Sequence, residues 1–149
     1  MSSLIFSCQP NPSSYISHIE GYWEIVSVAK NQEKIKEFKI SASVDYFKIN
    51  SDLSGYRKKV TPRFDGAFQI FKDQSNFKLT IEANKLWINY LNNEKPYREE
   101  IRRANKASLI LANKDGFIYT YKPYEPLIFD EWASGITTNR KLMIYWNHL

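Results

Sequence analysis

Two acidic side chains that interrupt apolar runs are the first candidates for chemistry in this chain of 149 residues. Glu24 and Asp45 each lie in a run of apolar residues that is typical of a strand. A carboxylate that faces an enclosed interior can hydrogen-bond the polar end of a ligand, whereas one on the alternate face of the strand points to water. We therefore take Glu24 and Asp45 as polar candidates for the lumen of any structure that the strands enclose, with the solvent-facing orientation as the alternative.

Sets of residues that could catalyse a reaction are not evident. His18 and His148 lie near the two ends of the chain, and a single cysteine, Cys8, excludes a Cys/His zinc set. The sequence contains no phosphate-cradling glycine loop and no nucleophile elbow. Glu99 and Glu100 are neighbours on a predicted strand and point to opposite faces, which suits ion pairing better than paired acid-base work. We expect no enzyme activity, no catalytic residue, no metal and no cofactor.

The composition is that of one globular domain that is rich in strands. The charged fraction is 25% and the apolar fraction 43%, and 4 Trp, 10 Tyr and 9 Phe favour strands over helices. Short basic clusters at 57–59, 102–106 and 140–141 contribute to the net charge of +5. Basic runs on strands project alternately to both faces and do not by themselves line a groove, so we expect a solvated surface and no nucleic-acid partner.

Short apolar or alternating runs follow one another along most of the chain. The predicted strands are 22–29, 44–49, 56–61, 67–71, 77–82, 86–91, 97–103, 108–112 and 117–121, with the polar run 30–36 as a loop. Short connections make sequential strands pair, and closing the sheet removes its exposed edges. The sequence thus predicts an all-β, single up-and-down antiparallel β-barrel of eight to nine strands. A sandwich needs longer crossover connections, for which only 30–43 offers room.

The two ends of the chain differ from this pattern. Residues 1–18 read as a leader, and residues 15–19, at the junction with the next segment, form a turn or short helix that covers one end of the fold. The barrel domain is predicted to span 19–149, with a tail from 123. In that tail Pro126 can open a short helix over 127–134, and Ile128 and Trp132 would then share one helix face.

The residues around Cys8 resemble the lipobox of a bacterial lipoprotein. A short apolar run that ends in Ser7 precedes the cysteine, and a polar, proline-containing tether follows it. The resemblance implies cleavage before Cys8, attachment of lipid to its sulfur, and a place in the bacterial cell envelope, in the periplasm or at the outer membrane. Phe6 departs from the motif, and the residues before Cys8 are too few for a full signal segment. An ordinary leader and a cytoplasmic location are the alternative.

The opening of the first strand resembles that of the lipocalins and of the wider calycin group. Gly21, Tyr22 and Trp23 start this strand, and short strands and a helix-like tail follow. The whole order is similar to the small lipocalin-like lipoproteins of Bacteroidetes-type bacteria. The resemblance implies that Trp23 plugs the closed end of a barrel and meets a basic side chain, for which Lys122 and Arg103 are candidates.

Aromatic residues on the predicted strands decide what such a barrel would do. Eight strands enclose a space that side chains fill or that holds one small ligand. The candidates to line it are Trp23, Phe47, Phe68, Tyr90, Tyr119 and Tyr121. With an open lumen we expect a monomeric, non-enzymatic binder of a small apolar or amphipathic molecule. With a filled lumen we expect an envelope module that contacts a protein or a glycan.

Overall fold

The protein forms one sheet of nine antiparallel strands in which each pair of neighbours is hydrogen-bonded. The computed structural model describes residues 10–63, 67–91 and 94–126. A 3-10 helix at Pro12–His18 comes first. The strands are β1 Gly21–Lys30, β2 Glu33–Glu37, β3 Val44–Ile49, β4 Ser54–Pro62, β5 Phe68–Glu82, β6 Lys85–Tyr90, β7 Tyr97–Ala104, β8 Leu109–Asn113 and β9 Phe117–Pro123.

Strand β1 closes the sheet into a barrel because it uses both of its edges. Gly21, Tyr22 and Trp23 pair with β3 on one edge, and residues 23–30 pair with β9 on the other, with Ile25 opposite Tyr121. Strands β1 and β3 to β9 therefore form a closed, up-and-down, eight-stranded barrel. The predicted fold class is confirmed. Closure also pairs the two strands that would otherwise be the edges of the sheet, β3 and β9, with β1.

The prediction of a loop at 30–36 is wrong. Asn31 and Gln32 both have positive φ, 49° and 76°, as in the tight turn that suits a two-residue hairpin. This turn leads into β2, which pairs with the second half of β1. All five residues of β2 are exposed, so the strand has no buried face and shows no apolar alternation in the sequence.

The fourth and fifth predicted strands are one strand. The polar residues 72–76 suggested a break, but β5 runs for 15 residues and pairs with β4 across that stretch. In this register Arg57 lies opposite Ser75 and Tyr56 opposite Asn76. An irregularity between Lys58 and Val60 shifts the register of β4 against β5 midway along the pair. Backbone pairing therefore continues through residues 72–76, although their polar side chains do not show the alternation that predicts a strand.

The turns between strands lie at two opposite ends of the barrel, which we call the closed end and the open end. The β3–β4, β5–β6 and β7–β8 turns lie at the closed end together with the 3-10 helix, and the other tight turns lie at the open end. Alternate residues of the strands point inward and fill the half near the closed end. The buried hydrophobic side chains of this core include Phe47, Phe77, Leu79, Leu86, Ile88, Ile101, Leu109 and Leu111.

Trp23 and the 3-10 helix seal the closed end. The helix begins with Asn11 as its N-cap and with a proline in the first turn, and Tyr15 and Ile16 pack against the core. This confirms that 15–19 cover one end of the fold. The Trp23 indole Nε1 donates a hydrogen bond of 2.8 Å to the carbonyl oxygen of Ile19, and both side chains are buried.

The basic partner predicted for Trp23 is replaced by that carbonyl group. Lys122 lies 3.5 Å from Glu24 in an ion pair on the outer face, and Arg103 is exposed. Neither of them stacks on the indole in the ranges that the structure describes. The predicted contacts of Lys122 and Arg103 with Trp23 are therefore wrong, although the tryptophan does lie at the closed end.

The predictions for Cys8 and for the tail helix with Ile128 and Trp132 fall outside the described residues. Among the residues that are described, no helix has the length and apolarity needed to cross a membrane.

Candidate functional site

An arginine lies inside the barrel, between the apolar core and the open end. Arg57 is on β4, where Tyr56 and Lys58 point outward and the arginine points inward. Its side chain keeps only 18% of its surface exposed. The guanidinium carbon lies 5.1 Å from the centre of the Phe47 ring and 5.8 Å from that of Tyr121. Both distances lie within the range of a cation–π contact.

Two buried carboxylates on opposite walls hold the guanidinium. Arg57 Nη2 lies 2.7 Å from Asp45 Oδ2 on β3, and Nη1 lies 3.1 Å from Glu99 Oε2 on β7. Asp45 is 4% exposed and Glu99 is 3% exposed. A carboxylate so far from water is costly unless it is paired, and each of these two is paired with the same cation.

Two tyrosine hydroxyls complete the arrangement. Arg57 Nη1 donates to the Tyr90 hydroxyl at 3.0 Å, and that hydroxyl donates to Glu99 Oε2 at 2.7 Å. Arg57 Nη2 donates to the Tyr121 hydroxyl at 2.7 Å. These contacts connect β3, β4, β6, β7 and β9 across the lumen. We call Asp45, Arg57, Tyr90, Glu99 and Tyr121 the polar layer.

The side of the polar layer toward the open end carries two further polar groups. Lys59 Nζ lies 3.0 Å from Asp45 Oδ1, and the lysine side chain is 62% exposed. Tyr97 donates from its hydroxyl to Glu99 Oε1 at 3.1 Å, and its ring stacks on Tyr90. The two cations Arg57 and Lys59 balance the two carboxylates. Within the described residues, every buried side-chain nitrogen and oxygen has a hydrogen-bond partner.

The ionisation of the layer follows from these contacts. Burial alone would raise the pKa of Asp45, but the charges of Arg57 and Lys59 oppose it and hold that pKa below its ordinary value. Burial raises the pKa of Tyr90 and of Tyr121 despite the opposing charge of Arg57. At neutral pH the Asp45 carboxylate and the Arg57 guanidinium are therefore charged, and the phenols of Tyr90 and Tyr121 are neutral.

Partly exposed apolar and aromatic side chains follow on the open side of the layer. Ile25 and Tyr119 pack against the edge of the core without being fully buried. Val28 is paired with Tyr119 on the neighbouring strand, so both face inward. Phe117 stacks on Tyr119 at a centroid distance of 6.2 Å. On the open side of the layer, β1 and β9 thus form a largely apolar wall with the Tyr119 hydroxyl, and the Lys30 ammonium group lies 4.7 Å from the centre of the Phe117 ring.

The structure places most of the predicted lining residues inside the barrel but at different depths. Trp23 and Phe47 belong to the buried core, and Tyr90 and Tyr121 belong to the polar layer. Tyr119 lies on the open side of that layer. Asp45 does face the lumen, where it binds Arg57 and Lys59.

Two predicted lumen residues lie outside the barrel. Glu24 alternates with the buried Trp23, and its carboxylate accepts the backbone N–H of Ser41 at 3.2 Å and pairs with Lys122. Phe68 stacks on the outward-facing Tyr22 at 4.6 Å. The predictions that Glu24 and Phe68 line the lumen are therefore wrong, because strand alternation and the course of β5 put both on the outer face.

Arg57 and Glu99 are the site residues that the sequence did not reveal. Arg57 stands in a basic run with Lys58 and Lys59, and Glu99 stands beside Glu100, so both read as solvated charges. A usable signal did exist in the alternation of β4 and β7. Arg57 lies opposite Phe47, and Glu99 lies two positions before Ile101, and both of these neighbours are buried.

A depression of about 560 Å³ lies on the outer wall and rim of the barrel. Trp87, Asn89 and Arg98 line its outer part, and Tyr97 and Lys114 line its rim. The Arg98 guanidinium lies 4.0 Å from the centre of the Trp87 ring. The residues described here contain no group of three or more His, Cys, Asp or Glu side chains that could hold a metal ion.

An eight-stranded, up-and-down barrel with one sealed end is an architecture of binding proteins in general. The chain matches the model of the lipocalin-like domain family over residues 19–124, which is well over half of its length. This protein therefore belongs to the lipocalin-like family, and the resemblance seen at Gly21 to Trp23 is confirmed. The family is generally non-enzymatic.

Among solved structures, the chain is similar to a lipocalin-like protein from Bacteroides uniformis. The two chains share 12% sequence identity with a TM-score of 0.44, and the match covers 72% of this chain and 99% of the other. No curated protein matches the sequence.

Removing the guanidinium should reveal how far the fold depends on it. We expect Arg57→Met to lower the free energy of unfolding by about 3–5 kcal/mol, because Glu99 would remain buried without a counter-charge and Asp45 would keep only the largely exposed Lys59. The exposed Arg98→Met, which loses an ion pair with Glu82, should cost about 1 kcal/mol or less. Urea unfolding followed by circular dichroism measures both. A triple variant, Asp45→Asn with Arg57→Met and Glu99→Gln, should recover part of the loss. Equal costs for the two single arginine variants would contradict the central role of Arg57.

Alkaline pH should unfold the barrel through its buried phenols. Burial, aided by the charge of Glu99, raises the pKa of Tyr97 from 10.0 to about 12, and burial also raises those of Tyr90 and Tyr121. A raised pKa in the folded state adds stability that is complete below pH 10 and is lost as the pH rises from there toward 12. Absorbance titration of tyrosinate should therefore show a late group of phenols that ionise together with the loss of the circular dichroism signal. Ionisation of all tyrosines near pH 10 without unfolding would contradict this.

Proposed function

We propose that the protein binds one small amphipathic molecule in the open half of the barrel. The observation that carries this proposal is the position of the polar layer. The layer ends the packed core partway along the lumen, and inward apolar side chains on its open side stay partly exposed. A ligand would cover the surface of Ile25, Val28 and Tyr119, and burial of apolar area would drive its binding.

The charges of the layer favour a ligand that is mainly apolar with a modest polar end. Arg57 already has two carboxylate and two hydroxyl partners, so a ligand gains little from it without breaking those bonds. Lys59 has one carboxylate partner and is largely exposed, so its ammonium group can also donate to a polar group of the ligand. We also propose that this binding is non-enzymatic, as is general in the family.

We also propose that Cys8 carries lipid and holds the protein, as a monomer, in the bacterial cell envelope. Its support is the short apolar run ending in Ser7 and the polar tether after the cysteine. Two or more acyl chains on one residue would hold the protein at a membrane far more firmly than one chain does.

A bulky side chain on the inner wall should block the ligand. N-phenylnaphthylamine, a neutral probe whose fluorescence rises in apolar surroundings, should bind the wild-type protein saturably. We expect Val28→Trp to weaken this binding by about tenfold or more, since the indole would occupy the open half of the lumen. Thr120→Trp is the matched control because Thr120 alternates with the inward Tyr119 and Tyr121 and points outward. Thermal unfolding checks that both variants are folded.

Probe binding that does not depend on Val28 would favour the alternative function, an interaction module that contacts a protein or a glycan. The outer depression with Trp87 and Arg98 is the observation that supports this second function. In that case, probe binding would be unchanged in Val28→Trp and lost in Trp87→Ala. Native mass spectrometry of the protein purified from its own bacterium provides an independent test, since a retained small molecule supports the lumen site.

Labelling with fatty acid should test the anchor. When the natural gene is expressed in cells fed an alkyne fatty acid, the protein should carry the label and sediment with membranes. Cys8→Ser should abolish both, whereas Ser7→Ala, which keeps a small residue before the cysteine, should retain both. Absence of label from the parent protein, or its persistence in Cys8→Ser, would overturn the proposed attachment.

A further inference from the structure

The chain enters the fold at the closed end of the barrel. The 3-10 helix Pro12–His18 contacts β6 and β7 there and leads directly into β1. Cys8 is two residues before Pro10, the first described residue, so the two Cα atoms are at most about 7 Å apart. Any group attached to Cys8 is therefore held near this end of the protein.

A β-bulge places two consecutive arginines on the outer face of the same end. The register of β7 with β8 shifts between Ile101 and Arg103, so Arg102 is an extra residue in its strand. Ile101 and Ala104 remain buried on the inside, while Arg102 and Arg103 are both exposed. Simple alternation would have sent one of the two arginines to the other face.

The turn that follows adds a third cation on a backbone held by hydrogen bonds. The Asn105 side-chain oxygen accepts the backbone N–H groups of Ala107 and Ser108, each at 2.9 Å. Lys106 lies at the tip of this turn and is exposed. We call Arg102, Arg103 and Lys106 the basic turn.

The acidic residues of the closed end do not neutralise the basic turn, because other cations hold them. Glu20 lies 2.8 Å from Lys48, and Asp52 lies 3.6 Å from Lys78. Arg103 and Lys106 form no ion pair with any residue in the described part of the chain, and Arg102 has only a long contact of 3.7 Å with Glu100. The net field of the basic turn is therefore positive and open to solvent.

We propose that the basic turn contacts the anionic lipid headgroups of the membrane in which Cys8 is anchored, so that the closed end faces the bilayer and the ligand-binding mouth faces away. This inference rests on the proposed anchoring of Cys8. The short tether brings the closed end to the bilayer surface, and exposed basic side chains next to an anchor are attracted by anionic lipid. Exchange of the ligand then takes place from the aqueous side, without obstruction by the membrane.

Vesicle binding of the full chain with Cys8→Ser tests the contact without the anchor. Sedimentation should show binding to vesicles of phosphatidylglycerol and phosphatidylcholine at low salt, weak binding to phosphatidylcholine alone, and loss of binding at high salt. Adding the substitutions Arg102→Gln, Arg103→Gln and Lys106→Gln should lower the partition coefficient of the protein between solution and the anionic vesicles by about tenfold or more. The matched control is Lys34→Gln, Lys36→Gln and Lys39→Gln, which removes the same charge from exposed residues on or beside β2. It should change binding by about twofold at most.

The outcomes separate this proposal from the proposed anchor and the proposed ligand site. Equal loss in the two triple variants would mean that only net charge attracts the protein, and this would overturn the orientation. If the Cys8→Ser protein with its basic turn intact failed to bind anionic vesicles, the proposed headgroup contact would be overturned. Fatty-acid labelling of Cys8 and probe binding in the lumen are independent readouts, so either can stand when vesicle binding fails.

Discussion

The pairing of one guanidinium with two carboxylates inside the barrel is the constraint on which the rest of the interior depends. Arg57 on β4 binds Asp45 on the adjacent strand β3 and reaches across the lumen to Glu99 on β7. None of the three could stay buried alone, because a single charge in an apolar interior costs several kcal/mol. The layer therefore exists as a unit, and it fixes where the packed core ends.

The closed barrel was predictable because most of its strands bury one face and expose the other. Phe77 to Glu82 alternates regularly, and the structure buries Phe77 and Leu79 while exposing Glu82. Strand β2 and the middle of β5 escaped prediction because they pair through the backbone while their side chains are polar. Sequence patterns report burial, and where a strand has no buried face they report nothing about pairing.

Part of the candidate site could also be predicted, and the errors have a common cause. Asp45 is two positions from the buried Phe47 and therefore faces the inside. Glu24 is next to the buried Trp23 and therefore faces the outside. Phe68 could not be assigned in this way, since its position depends on the path of β5 after the register shift in β4. The bulge at Arg102 is a similar case, because a register shift alters which face a residue takes.

The pairing of β1 with β9 has a consequence for how the chain becomes a barrel. Ile25 and Tyr121 are neighbours in the sheet but are separated by about 100 residues along the chain. Closing the barrel therefore carries a large unfavourable loop entropy. Until β9 is in place, the edge of β1 that pairs with it stays unpaired. Arg57 also lacks its hydrogen bond to the Tyr121 hydroxyl during this time. During synthesis the chain is therefore exposed to aggregation until nearly all of the strands are present.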